Sequence, residues 1–374
     1  MMMTGQTLGP SLAPRGDKHR VLVFQGSESF QTGLSYVAPR LARWTGGEVC
    51  RDTSQERALA FAASPKVVVF TLETEFNALE HVSPSQLPRQ LVAIVDRLPP
   101  PNTLERQAAL FCLRRATTAI VPTRWYRDYL RKYEPEVWDT IHGKVQLLPL
   151  PIDERPDVPT TAHELASWKK RQRDVFCSRN GLRHCRRLFA LMTRACPTKQ
   201  LDRVAHLCNQ LLQDQSVNVA IAVRLDDASG SDDMRSVLNL RQLADQHPCR
   251  MVVVDNHAGG KSFPQSELLY SAADWSCHLA TFEPQGLSPL LALRAGCLLA
   301  HTSVGVLSDL DESSPDVRRL RVPIPHTIQQ LASVFHDVDE DAIIDQLRIA
   351  CCEAARQYEW PRWAPAYRQF VPSA

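Results

Sequence analysis

The stretch from Thr281 to Gly296 combines a carboxylate, a turn and a helix start in an order that could bind a ligand. Glu283 follows a predicted strand, Pro284 and Gly286 favour a turn, and an apolar helix is predicted next. The first N–H groups of a helix favour an anion, and a carboxylate beside them could accept hydrogen bonds from sugar hydroxyls. An ordinary strand–turn–helix connection capped by Glu283 explains the same residues equally well, so both interpretations stay open at this point.

Two basic residues, Arg194 and Lys199, follow another predicted strand. Two fixed cations at the end of a strand could stabilise negative charge that builds up on a leaving group, without help from a metal ion. The alternative is a pair of solvated surface bases, which is the usual role of such residues.

These candidate residues lie between strands and helices that alternate along the whole chain. Alternation of apolar runs with helical periodicity predicts parallel sheets in a doubly wound α/β fold. Predicted strands cover residues 19–24, 67–72, 91–95, 119–122, 145–150, 188–193, 217–223, 250–254, 275–279 and 297–301. In such sheets ligands bind outside the carboxyl ends of the strands, so a two-lobed chain is expected to hold its ligand in the cleft between the lobes.

A proline-rich segment marks the predicted boundary between two domains. Its prolines are Pro149, Pro151, Pro156 and Pro159. We predict a flexible tail over residues 1–18, a first Rossmann-like domain over 19–155, a second over 156–360, and a C-terminal crossover helix over 361–374. The length of 374 residues suits two domains of ordinary size.

Composition excludes several classes of protein. The formal net charge is only +2, so nucleic acid is not expected as the main partner. No apolar run reaches the length of a membrane span, and the first twenty residues lack the apolar core of a secretory signal. The eleven cysteines are scattered without the paired spacings of a zinc site, so we expect reduced thiols, no metal and a cytoplasmic location.

The stretch that contains Phe-Glu-Pro-Gln-Gly-Leu at 282–287 resembles the signature of glycogen and starch synthases and the related sucrose-synthase-like glycosyltransferases. Residues 268–275, 302–309 and 358–367 resemble the passage before that signature, the glycine turn after it and the closing segment of the family. The resemblance covers residues 140–370. It implies a GT-B fold, in which two Rossmann-like doubly wound domains face each other across a cleft and a C-terminal helix crosses back to the first domain.

The resemblance also implies an activity and the roles of several residues. It implies transfer of a hexosyl unit from a nucleoside diphosphate sugar to a hydroxyl acceptor (a glycan, a lipid or a small molecule), with retention of configuration and no cofactor. Arg194 and Lys199 match the phosphate-binding pair of the family, and Glu283 matches the residue that binds the donor sugar; these three are the predicted catalytic residues. The backbone expected to flank the phosphate or the sugar is that of Gln285, Gly286 and Leu287.

Several positions depart from the family pattern and motivate a second hypothesis. Leu291 stands where the family usually has a second Glu, Gln31 where synthases carry a Lys, and Val95 and Asp96 where many relatives have a His on the acceptor side. Gly33 could let the backbone approach a phosphate, or it could simply begin a helix. A glycosyltransferase-like protein that binds a nucleotide sugar or a protein partner without turnover is therefore the alternative.

Residues 252–262 raise a third hypothesis, because they end a predicted strand and carry Gly-Gly-Lys-Ser like a nucleoside triphosphate loop. Asp255 occupies the position of the first glycine of that loop, and Pro264 follows where its helix should begin. A Gly-x-Gly-x-x-Gly fingerprint follows none of the predicted strands, which excludes a dinucleotide-dependent dehydrogenase.

Overall fold

A computed structural model describes residues 21–25, 33–45, 48–51, 67–71, 90–96, 98–225, 230–255, 263–323, 327–336 and 341–370. These residues form two parallel sheets with helices against them. The first sheet contains β1 (Val21–Gln25), β2 (Glu48–Arg51), β3 (Val67–Thr71), β4 (Gln90–Ile94), β5 (Thr118–Val121) and β6 (Val145–Leu147). Its order is β2-β1-β3-β4-β5-β6, with parallel pairing throughout the described strands.

The helices of the first half are α1 (Gly33–Thr45), α2 (Leu104–Arg115), α3 (Arg124–Tyr133) and α4 (Pro135–Ile141). Together with the first sheet they form what we call the first lobe. Threonine side chains begin two of these helices: Thr103 accepts a hydrogen bond from the Arg106 N–H, and Thr123 accepts one from the Tyr126 N–H. Such caps satisfy N–H groups that have no partner within the helix.

The second sheet contains β7 (Arg187–Arg194), β8 (Val217–Arg224), β9 (Met251–Asp255), β10 (Trp275–His278) and β11 (Leu298–His301), in the order β11-β10-β7-β8-β9. From β7 the chain adds β8 and β9 on one side, and β10 and β11 on the other. The point between β7 and β10 is therefore a topological switch point, where doubly wound sheets bind their ligands.

The helices of the second half, with the second sheet, form the second lobe. They are α5 (Ala162–Arg179), α6 (Leu201–Leu211), α7 (Ser231–Gln246), α8 (Phe263–Ala272), α9 (Leu287–Arg294), α10 (Val306–Ser313), α11 (Pro315–Arg318), α12 (Ile328–His336) and α13 (Asp341–Arg356). The last helix within the described residues is α14 (Trp360–Arg368). Proline is tolerated in the first turn of a helix, which explains why α14 begins at Trp360, before Pro361 and earlier than the sequence predicts.

Helix α14 packs on the first lobe. The Tyr367 hydroxyl donates a hydrogen bond to the Pro149 carbonyl over 2.8 Å, and the Trp360 ring stacks on Trp44 of α1 with 6.4 Å between centroids. The Arg368 Nε donates to the Trp44 carbonyl over 3.2 Å. These contacts confirm the predicted C-terminal helix that crosses back to the first domain. The domain bounds at 155/156 and 360/361 stay a prediction.

A buried ion cluster joins the sheet of the second lobe to its helices. The Asp274 side chain is fully buried and lies 2.6 Å from Arg173 of α5 and 2.5 Å from Arg348 of α13. It also accepts a hydrogen bond from the Leu188 N–H of β7 over 2.9 Å. Burial by itself would raise the pKa of Asp274, but Arg348 and Arg173 hold it below its ordinary value, so the carboxylate is charged.

The structure corrects one argument against the phosphate-loop hypothesis. A helix does begin after residues 252–262: α8 starts at Phe263 and has Pro264 in its first turn, where a missing N–H costs nothing. The absent first glycine, replaced by Asp255 at the end of β9, still speaks against the loop. Residues 256–262, the tail at 1–18 and Gln31 lie outside the described residues. Within the described ranges, no helix has the length and apolar content needed to cross a membrane.

Candidate active site

Arg194 and Lys199 both follow the central strand of the second sheet. Arg194 is the last residue of β7 and pairs in register with Arg224 at the end of β8. The chain then forms a short 3-10 turn, Pro197–Lys199, which ends at Gln200 in a left-handed conformation with φ of 52°. This turn places Lys199 at the switch point, on the side of β10.

The loop after β10 carries Glu283 to the same place. The Thr281 N–H donates a hydrogen bond to the Thr198 carbonyl over 2.9 Å, so the two loops are joined through their backbones. The Lys199 ammonium forms an ion pair with the Glu283 carboxylate, and the two side chains are only 13% and 19% exposed. The structure therefore brings together two residues that lie far apart in the sequence and that the sequence assigned to one site.

The Glu283 carboxylate carries its charge at neutral pH. Burial would raise its pKa, but Lys199, the nearby His278 and, more weakly, Arg194 lower it to about 2. Arg194 thus contributes to the electrostatics of Glu283 alongside Lys199. The three predicted catalytic residues form one charged cluster at the carboxyl ends of β7 and β10.

His278 is a member of this cluster that sequence reasoning missed. It is the last residue of β10, and its Nε2 lies 3.8 Å from the Glu283 Oε2. Burial, and then the positive charge of Lys199, lower the pKa of His278 to about 3, so the imidazole is neutral. A histidine at the end of a predicted strand was the available signal.

Two glycines shape the backbone around Glu283. Gly286 has φ of 96° and precedes α9, and Gly305 has φ of 59° and precedes α10. A Cβ on Gly305 would lie 2.5 Å from the Glu283 carbonyl and 2.8 Å from the Gln285 carbonyl, closer than any side chain allows. The Val306 N–H donates to the Gln285 carbonyl over 2.7 Å. The segment that carries Glu283 is therefore packed directly on the turn before α10.

The side chains of Gln285 and Leu287 are engaged away from Glu283, and the flanking of a phosphate or sugar by the backbone of Gln285, Gly286 and Leu287 stays a prediction. The Gln285 side chain is buried and bonds the linker, since its Oε1 accepts from the Leu150 N–H over 3.1 Å and its Nε2 donates to the Leu150 carbonyl over 3.3 Å. Leu287 is buried in the core as the first residue of α9. The first N–H groups of that helix have no partner within the helix and could donate hydrogen bonds to an anion.

The first lobe holds the residues on both sides of Glu283. The Phe282 ring lies among aromatic rings of α3, with centroid distances of 4.8 Å to Tyr129, 5.8 Å to Trp125 and 5.9 Å to Tyr126. On the other side, the carbonyl of Pro284 accepts a hydrogen bond from the Thr123 hydroxyl over 2.8 Å. Trp125 and Tyr126 therefore pack on the site loop.

We expect Phe282→Ala to destabilise the protein by about 2 kcal/mol, less than the cost at a fully buried Phe, because the ring is half-buried. We also expect it to weaken ligand binding, because Glu283 would lose an anchor on the first lobe. Phe111→Ala is the control, since Phe111 packs on the same cluster from within the first lobe. Denaturant unfolding and ligand titration of both variants test this: equal binding by the two would contradict an anchoring role for Phe282.

The structure places four residues that bear on the departures from the family pattern. Val95 is fully buried in the core of the first lobe, and Leu291 is buried in α9. The negative charge of Asp96 raises the pKa of Tyr126, second to burial, so Asp96 lies near the aromatic rings that hold Phe282. Gly33 is the first residue of α1; its approach to a phosphate stays a prediction.

Comparison with solved structures gives the class of the fold. The catalytic domain of starch synthase IV from Arabidopsis thaliana, solved with ADP and acarbose, aligns with a TM-score of 0.71 at 12% identity, over 94% of this chain and 98% of that one. HepE of Anabaena, in complex with UDP and glucose, aligns with a TM-score of 0.66 at 12% identity, over 94% and 98% of the two chains. The chain has the GT-B fold, as the sequence predicted.

Sequence comparison gives a more limited match. The chain is 25% identical to the glycogen synthase of Bacillus subtilis (strain 168) over 122 residues, which are 33% of this chain and 23% of that protein. The match thus spans about a quarter of the length of this relative. No family model matches the chain.

Proposed function

We propose that this protein is a glycosyltransferase that moves a hexosyl unit from a nucleoside diphosphate sugar to a hydroxyl acceptor. The observation that carries the proposal is the cluster of Arg194, Lys199 and Glu283 at the switch point of the second sheet. Proteins of the same fold have been solved with ADP and acarbose, and with UDP and glucose, which supports a nucleoside diphosphate as the leaving group.

In the proposed mechanism the cations act on the leaving group. Breaking the bond between the sugar and the diphosphate builds negative charge on the diphosphate, and Arg194, Lys199 and the start of α9 stabilise it in the transition state. Glu283 accepts hydrogen bonds from the donor sugar and orients it. Retention of configuration and independence from metals and cofactors follow from the family resemblance. A cytoplasmic location, which keeps thiols reduced, is part of the same proposal.

The ion pair between Lys199 and Glu283 gives this site a pre-set geometry. A lysine ammonium has three N–H donors, so the group that pairs with Glu283 in the free protein can turn its donors to a phosphate oxygen when the donor binds. Because the pair is largely buried, its charges are screened by solvent less than a surface pair would be. A bound diphosphate therefore meets a cation that is already directed towards the switch point.

We expect wild-type protein to bind UDP or ADP, and Arg194→Ala and Lys199→Ala each to weaken binding at least about 10-fold, since a charge-assisted contact contributes about 1.5–3 kcal/mol. Isothermal titration calorimetry of the folded proteins measures this directly. Lys170→Ala, which removes an exposed lysine of α5, and Arg235→Ala, which removes an exposed arginine of α7, are matched controls that should bind like wild type.

The outcomes separate the hypotheses. Wild-type binding that is lost in the two site variants but kept in the two controls would support the donor site, and turnover with candidate sugars could then be assayed. If folded wild-type protein binds neither nucleotide, the glycosyltransferase function is wrong.

A second candidate function is binding of a nucleotide sugar, or of a protein partner, without turnover. The absence of a histidine at Val95 and Asp96 favours it, because these positions carry an acceptor-side His in many relatives and hold a buried apolar residue and an acid here. This function predicts nucleotide binding that depends on Lys199 with no product formed from any donor and acceptor pair. Detection of sugar transfer that is abolished by Glu283→Gln would exclude it.

A further inference from the structure

The His278 imidazole is buried beside the ion pair of Lys199 and Glu283. His278 is 8% exposed, and its Nε2 has no hydrogen-bond partner among the residues that the structure describes. The Glu283 Oε2 lies 3.8 Å from this nitrogen, which is too long for a hydrogen bond. Buried polar groups are nearly always hydrogen-bonded, so an orphaned one calls for an explanation in terms of function.

His301, on the neighbouring strand, is a histidine with a structural role and serves as a comparison for His278. His301 of β11 is paired in register with His278. Its Nδ1 lies 3.3 Å from the Thr302 carbonyl and its Nε2 lies 3.2 Å from the Val317 carbonyl, so the N–H of either tautomer has a carbonyl to which it can donate. His278 instead directs its Nε2 towards the charged pair formed by Lys199 and Glu283.

The backbone of His278 is fixed by hydrogen bonds from the neighbouring strand end. The His278 carbonyl accepts hydrogen bonds from the Thr302 N–H over 3.0 Å and from the Thr302 hydroxyl over 3.2 Å. The charged groups that face the ring are Lys199, from the loop after β7, and Glu283, from the loop after β10. A shift of about 1 Å between Nε2 and the carboxylate would bring the two to hydrogen-bond distance.

We propose that His278 is a positioning residue that takes over the Glu283 carboxylate when the diphosphate of the donor draws Lys199 towards itself. The proposal rests on the proposed function, because it requires a diphosphate at Lys199. In the free protein Lys199 satisfies the carboxylate. In the donor complex the neutral imidazole donates its Nε2–H to one carboxylate oxygen, and the other oxygen accepts from a hydroxyl of the donor sugar. No proton is transferred in this exchange of hydrogen-bond partners.

The exchange keeps the Glu283 carboxylate hydrogen-bonded after Lys199 has turned to the diphosphate. A buried carboxylate that loses its cation is strongly disfavoured unless another donor replaces it. A second lysine or arginine in that place would compete with Lys199 for the diphosphate, whereas a neutral N–H donor does not. His278 supplies such a donor from the last residue of a strand, which is a rigid support.

The test compares His278→Leu, which removes the donor, with His278→Gln, whose amide reaches about as far as the imidazole Nε2. We expect His278→Leu to weaken binding of UDP-glucose or ADP-glucose about 10-fold in calorimetry and His278→Gln to restore most of the affinity. In a Glu283→Gln background His278→Leu should change affinity less than about 2-fold, because a neutral amide does not need a replacement donor. His301→Gln is the control for disturbing a histidine at the same sheet edge.

A spectroscopic measurement on the native histidine keeps the proposal testable if the His278 variants fail to fold. In protein labelled with 15N-histidine, the Nε2–H signal of His278 should move downfield when the sugar nucleotide is added, because a hydrogen bond to a carboxylate forms. The same signal should not move in Glu283→Gln. Wild-type binding that depends on Lys199, together with an unmoved His278 signal, would overturn this proposal and leave the proposed function intact. Absence of wild-type binding would overturn both.

Discussion

Asp274→Asn is expected to lower the free energy of unfolding by about 3–5 kcal/mol, because it removes the fully buried carboxylate that pairs with both Arg173 and Arg348. Asparagine has nearly the same size and can still accept a hydrogen bond from the Leu188 N–H, so the loss reports on charge. Two guanidinium groups would be left facing a neutral amide in the core, among the helices that cover the second sheet.

Asp345→Asn is the matched control for this prediction. Asp345 also pairs with Arg348, over 3.1 Å, but it is 27% exposed and lies one turn away on the same helix. Its replacement should cost less than about 1 kcal/mol. Urea unfolding of the three proteins at neutral pH measures both effects. Similar stabilities for Asp274→Asn and Asp345→Asn would show that the buried cluster contributes no more than a surface pair.

Gly305→Ala is expected to disrupt the site and to cost about 3 kcal/mol of stability. The new Cβ would lie 2.5 Å from the Glu283 carbonyl and 2.8 Å from the Gln285 carbonyl, and the backbone is in a left-handed conformation. The overlap involves backbone atoms, which cannot rotate away as a side chain would, so the segment that carries Glu283 must shift. We therefore expect nucleotide affinity to fall along with stability.

Gly181→Ala isolates the conformational part of that cost. Gly181 also has a positive φ, of 66°, but a Cβ there would meet no atom within 4 Å. This variant should lose about 1 kcal/mol from backbone strain and keep the nucleotide affinity of wild type. Thermal unfolding and calorimetry of both variants check the prediction. Equal losses in the two would mean that the packing of Gly305 on the Glu283 segment is unimportant.

The sequence predicts the fold well where elements are long or apolar. The two sheets follow from apolar runs that are buried on both faces, and the predicted strand at 217–223 corresponds to β8 (Val217–Arg224). Helix α2 (Leu104–Arg115) went unpredicted because charged residues interrupt its apolar face. The short β2 (Glu48–Arg51) and α4 (Pro135–Ile141) went unpredicted because brief elements leave little pattern. Helix α10 (Val306–Ser313) was interpreted only as a turn.

The site is predictable only in part, for a physical reason. Glu283, Arg194 and Lys199 were identified through a family resemblance, since the chemistry of each segment alone left a capping role open for Glu283 and a solvated surface role open for the two basic residues. The contact between Phe282 and the aromatic rings of α3 has no local signal. It joins segments more than 150 residues apart, as does the nearby hydrogen bond from Thr123 to Pro284, with a separation of 161 positions. The role of His278 likewise depends on which strands become neighbours.

The crossing of α14 to the first lobe has a consequence for how the protein can be divided. The chain passes from the first lobe to the second near Ile152 and returns near Trp360, and the two passages are hydrogen-bonded to each other, with Trp360 N–H donating to the Ile152 carbonyl over 3.0 Å. The second lobe is thus inserted into the first, whose complete surface needs residues from both ends of the sequence. A fragment that ends at the proline-rich linker would lack α14 and leave Trp44 and Pro149 uncovered. A protein in which a short loop replaces the second lobe, joining Ile152 to Trp360, would keep α14 packed on both residues.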